Sequence, residues 1–150
     1  MPGTAGGKEG GPGGIFRPKS KEIRDHRDLR VWRKAKTLAD RCREAVAGFP
    51  KDQAKLASVI CRLADEVPHE IAAGQSQRHH APYMDHLARS RTALRHLERR
   101  LIEAHKVNSL ACAVGDPLLA RTAEIERMLG KLMLSLELAY ARRRAARSGG

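Results

Sequence analysis

With 150 residues the chain has room for one domain with a single hydrophobic core. It holds only two Phe, two Tyr and one Trp, so that core is built from Leu, Ile, Val, Met and Ala, which argues against a β-sandwich and for helices. Lys and Arg number 29 against 17 Asp and Glu, a formal net charge of +12, and such a surplus repels cations and draws polyanions, nucleic acid first among them.

Residues 1–25 are rich in Gly and Pro and gain too little burial to offset the entropy of ordering them, so a disordered tail is expected. Arg17, Lys19, Lys21 and Arg24 in this region read first as part of a floppy leader and only second as loose phosphate contacts. A first helix is expected from Asp28, read as its cap, to about Gly48, where Gly-Phe-Pro stops it. Its inward stripe reads Leu29, Trp32, Ala35, Ala39, Cys42, Val46 and Phe49, and Arg27, Arg30, Lys34 and Arg41 line an exposed ridge opposite.

A second helix is expected from about Asp52 to Gly74, with Leu56, Ile60, Leu63, Val67 and Ile71 as its seam and a kink at Pro68. After the polar stretch 75–80, Pro82 suits the first turn of a third helix that runs to about His105. Tyr83, Leu87, Ser90, Leu94, Leu97 and Leu101 follow one another in steps of four and three and form its apolar stripe, while Arg91, Arg95 and Arg99 form a second stripe. Asp116-Pro117 reads as the start of a fourth helix that reaches about Arg144, with Leu118, Ile125, Leu129, Leu132, Leu136 and Ala139 inside. Leu119, Met128, Met133, Leu134 and Leu138 widen its apolar arc, which fits either a broad core-facing surface or contact with another subunit. The expected organisation is a tail over 1–25, an antiparallel four-helix bundle over 26–141 and a basic C-terminal tail over 142–150.

Charge is uneven along these elements. Residues 26–49 and 77–106 each carry seven basic and three acidic side chains, whereas 51–74 and 116–139 each carry three basic and four acidic. Cys42, Cys61 and Cys112 are odd in number and form no C-x-x-C pair, which suits buried thiols in a reducing compartment. No apolar run approaches the ~18 residues of a membrane span, and a cytoplasmic protein is expected.

Catalytic, cofactor and metal chemistry find no support in the spacing. His79, His80 and His86 lack the partner ligands of a zinc site, Glu66 and Glu70 lack an orienting group for acid–base work, and no P-loop or nucleophile elbow occurs. The arginines remain. Their planar forks clamp phosphate oxygens in pairs, and the candidate nucleic-acid contacts are Arg30, Lys34, Arg41, Arg78, Arg91, Arg95, Arg99, Arg100, Arg142, Arg143 and Arg144. Aromatic side chains for base stacking are scarce, so contact with the backbone of structured RNA or DNA is expected over sequence readout.

Three phrases, in order, carry a resemblance. Residues 28–35 resemble a family phrase "D-L-x-V-W-x-K-A", residues 62–74 occupy a phrase that ends "S-I-P-x-N-I-A-E-G", and Arg78, Tyr83 and residues 93–98 match a basic turn, an aromatic and an "S-L-x-E-L-E" phrase. The chain departs at Glu70, Ala73 and His96, where that family usually has Asn, Glu and Glu. From residue 26 to 140 it resembles the four-helix-bundle proteins encoded by intervening sequences within bacterial 23S rRNA genes, and its charge is similar to that of a related branch, the accessory variability protein of diversity-generating retroelements. The resemblance implies a non-enzymatic bundle that assembles as a ring, typically a homopentamer, and for the retroelement branch a reverse transcriptase as partner. The expected function is an oligomeric nucleic-acid-binding bundle accessory to such an enzyme. The alternative is a protein-interaction scaffold without direct nucleic-acid binding.

Overall fold

The computed structural model describes residues 26–149, and the expected tail over 1–25 lies outside them. Four helices account for almost all of the described chain: α1 (His26–Val46), α2 (Ala54–Gln75), α3 (His80–Lys106) and α4 (Cys112–Gly149). Each packs on its neighbours in chain order, and α4 closes on α1. Lys34 meets Glu124 across α1 and α4, Gly74 meets Tyr83 across α2 and α3, and Arg95 meets Glu126 across α3 and α4. These contacts fix an up-down-up-down bundle with short loops, as the apolar periodicity predicts.

The α1 core face is rotated from the expected stripe. Asp28, Val31, Ala35, Leu38, Ala39 and Cys42 are buried, whereas Leu29 is half-buried and Trp32, Val46 and Phe49 pack at the rim. The helix begins at His26, so Asp28 is not a cap; it lies inside the first turn, 1% exposed, and accepts a hydrogen bond from the Tyr83 hydroxyl at 3.1 Å. An acid that turns inward drags the whole face with it, and apolarity alone does not reveal that rotation.

Below α1, Gly48-Phe49-Pro50 breaks the helix and a 3-10 turn over Lys51–Gln53 leads into α2, two residues later than Asp52. The expected α2 seam is buried throughout, and the helix continues through buried Pro68. Next to that proline the Ser90 hydroxyl donates to the Val67 carbonyl at 3.1 Å, which ties α3 to α2. Gly74 does not stop α2, which runs on to Gln75. Its function is proximity: a Cβ there would stand 3.0 Å from both His86 Cβ and Tyr83 Cδ1.

All six residues of the expected α3 stripe are buried. The helix ends in a Schellman motif, with Asn108 at φ 61°, its N–H bonded to the His105 carbonyl at 3.0 Å and the Ser109 N–H bonded to the Ala104 carbonyl at 2.8 Å. Asn is one of the few residues with a side chain that tolerates this left-handed position.

α4 begins at Cys112, a turn before the expected Asp116 start. The N–H groups of Val114 and Gly115 both reach the Ala111 carbonyl, and buried Gly115 admits the Leu110 side chain, 3.1 Å from where a Cβ would be. Pro117 therefore sits in the second turn and forfeits one bond near a helix end, a smaller loss than at mid-helix. At its far end α4 continues as helix to Gly149, through the arginines expected in a tail. Leu136 is its last buried residue. At ~1.5 Å per residue, the 38-residue α4 outruns the 27-residue α3. No described helix is long and apolar enough to cross a membrane.

Candidate nucleic-acid interface

The ridge Arg91, Arg95 and Arg99 is split. Steps of four residues on a 3.6-residue helix drift by about 40° each, so the stripe winds from the α4 side of α3 to the α2 side. Arg91 and Arg95 both turn to Glu126 of α4, at 3.8 and 3.1 Å. Arg91 lies across Gly130, its Cζ 3.9 Å from the point where a Cβ would stand. Arg99 faces α2 instead, in a shallow hollow with Arg62, Glu66 and Arg100, and Arg100 holds Glu103 at 2.8 Å.

On α1, Lys34 pairs with Glu124 at 3.0 Å and Arg41 with Glu44 at 3.3 Å. Arg30 is exposed beside Arg127 and Lys131 in a groove between α1 and α4 that also holds Val31, Met128, Leu134 and Leu138. Arg78, on the turn between α2 and α3, pairs with no described carboxylate, nor do Arg142 and Arg143. Arg144 lies over the Tyr140 ring, 5.8 Å from its centroid. The eleven candidate cations thus fall into three sets: a belt held by acids (Lys34, Arg41, Arg91, Arg95, Arg100), two side positions (Arg30, Arg99), and an end where α3 starts and α4 finishes.

These belt pairs sit near or at the surface, and such pairs contribute only ~0–1 kcal/mol each. They hold these side chains only weakly. Arg43, which was not a candidate, is bound more firmly: it bridges Asp65 at 2.6 Å and Asp40 at 2.9 Å, and these hydrogen bonds raise its guanidinium pKa above the usual value.

Two polar contacts escape a pattern-based reading. One is the buried Asp28–Tyr83 bond, which gives a structural role to the acid of the first motif phrase. The other joins Glu70 to His86 at 2.7 Å across α2 and α3, so the acid that replaces the family's usual Asn faces a histidine. Glu66 stays on its own helix with Arg62 at 3.5 Å. His79, His80 and His86 do not assemble a metal site: among the described residues no three His, Cys, Asp or Glu side chains are placed to hold an ion. Cys42 is buried at the α1 core face, and that burial, reinforced by neighbouring Cys61, pushes its thiol pKa up to about 12.

The model of the protein family described as 23S rRNA-intervening sequence protein matches residues 27–131. That span covers α1 to α3 and more than half of α4. No curated protein matches the chain.

Proposed function

We propose that this chain, which belongs to the 23S rRNA-intervening sequence protein family, is a non-enzymatic, self-associating helical bundle that binds the phosphate backbone of RNA or DNA. The observation that carries the reading is a cationic surplus left over after pairing. The described residues hold 24 Lys and Arg against 14 Asp and Glu, and several of the surplus groups stand at the surface and pair with no described acid. Arginine outnumbers lysine among the candidate contacts, as suits bidentate phosphate recognition. A ring, pentameric by resemblance to the family, would repeat each basic face around its axis and multiply weak contacts through effective concentration. An accessory role beside a reverse transcriptase fits the same charge.

Filter binding of RNA and of duplex DNA over a salt series tests this. Phosphate-driven binding weakens linearly in log–log form, by about 0.9 per neutralised phosphate for duplex DNA; no binding at low salt rejects the function.

A second reading has its own observation. Leu134 and Leu138 on α4 remain 60% and 50% exposed beside the α1–α4 groove, which favours a docking role. In a pure scaffold of the 23S rRNA intervening-sequence type, this face would bind protein and the charge would serve solubility. The salt series separates the two readings.

A further inference from the structure

Building on the phosphate-binding reading, we propose that a single-stranded segment of nucleic acid is gripped at one end of the bundle, in the hollow where the start of α3 meets the overhang of α4. The hollow, about 520 Å³, is lined by Arg78, Arg143 and Arg147 with His79, His80 and Tyr140. Arg143 and Arg147 stand one turn apart on the same face of α4, where like charges repel. Arg78 brings a third guanidinium from the turn before α3. No described carboxylate pairs with any of the three. Glu137, the acid on the adjoining turn of α4, faces His80 Nε2 at 3.6 Å.

The arrangement is held in place. Tyr140 stacks on His80 with ring centroids 4.1 Å apart and planes within 6°, and Arg144 lies over the same ring. His80 is largely enclosed, its side chain 14% exposed. This stack fastens the α4 overhang to α3 and keeps the backbone that carries Arg143 and Arg147 beside the turn that carries Arg78. Three arginines around one hollow repel each other until an anion enters, and their guanidinium forks suit phosphate oxygens. The volume falls within the range of small-molecule sites, so a strand end or a short unpaired stretch enters, whereas a duplex lies across the outside. The α3 belt is the weaker candidate because Arg91 and Arg95 already share Glu126.

The test is anisotropy titration of a labelled 12-nucleotide RNA against the full chain. The end variant, Arg78→Gln with Arg143→Gln and Arg147→Gln, is compared with the belt variant, Arg91→Gln with Arg95→Gln and Arg100→Gln. The end variant should melt like the wild type, bind more than about tenfold more weakly at 0.1 M salt, and show a salt slope shallower by about 2, since each single-strand phosphate contact contributes about 0.7. The belt variant should stay within about threefold of wild type. Equal losses in both variants, or an end variant that binds like wild type, overturn the proposal while leaving nucleic-acid binding intact. Failure of the wild type to bind overturns the function and the site together. Competition by poly-glutamate as effective as that by unlabelled RNA overturns the phosphate assignment. Tyr140→Ala keeps every charge but releases the overhang; affinity should fall with the salt slope unchanged, and unchanged affinity overturns the role of the stack.

Discussion

The three cysteines of this chain differ in chemistry because they differ in burial. Cys42 lies in the core, Cys61 is half-buried and Cys112 is exposed at the start of α4. A thiol reagent should label Cys112 quickly, Cys61 more slowly, and Cys42 only on unfolding. Cys42 also carries a pH dependence. Its thiol stays neutral in the folded chain up to about pH 12, whereas the ordinary value is 9.0, so above pH 9 the unfolded chain sheds a proton that the folded chain keeps. Stability from this residue is complete below pH 9 and declines as pH rises toward 12. Urea denaturation from pH 8 to 10.5 should show that decline, and Cys42→Ala should flatten it, whatever the variant's absolute stability. Single residues were the least legible scale in the sequence. Asp28 has the look of a cap and proves to be a buried hydrogen-bond acceptor, because its partner Tyr83 lies 55 residues away.

Helices were legible wherever apolar steps of three and four sustain one face. The α2 and α3 seams follow this rule and are buried as expected. Element boundaries were less so, since a proline or a glycine carries two meanings. Pro117 suits a first turn and tolerates the second; Gly74 suits a helix end and here permits two helices to touch. That difference has opposite consequences for two of the helical glycines, Gly74 and Gly130. Gly74→Ala should destabilise the bundle by about 1–3 kcal/mol, because the new methyl group meets His86 Cβ and the α3 backbone, neither of which can move freely. Gly130→Ala meets only the flexible end of Arg91 at 3.9 Å and should stabilise by up to about 1 kcal/mol through helix propensity. Paired chemical-denaturation curves check both signs.

At the scale of the whole molecule, two surfaces are left uncovered by the other described residues: the apolar groove around Leu134 and Leu138, and the basic end around Arg78, Arg143 and Arg147. They lie on different faces, so self-association through one leaves the other open to a polyanion. Leu134→Lys with Leu138→Lys should reduce an assembled species to monomer by light scattering without lowering the melting temperature of the monomer, since neither side chain is buried. A wild-type chain that is already monomeric would remove the ring and with it the avidity that repeated basic faces provide. The chemistry proposed for the basic end depends on one long helix that extends beyond its neighbours.

From composition, periodicity and motif order follow the helical class, the four segments, most of the core and the cationic surplus, because these are local properties that repeat along the chain. Which cations pair with an acid among the described residues was decided only in three dimensions. Glu126 takes up Arg91 and Arg95 because α3 and α4 lie side by side, and Arg78 meets Arg143 and Arg147 because α4 continues past the bundle and is pinned by the His80–Tyr140 stack. Charge is counted along a sequence, but its neutralisation depends on distance, and distance belongs to the fold.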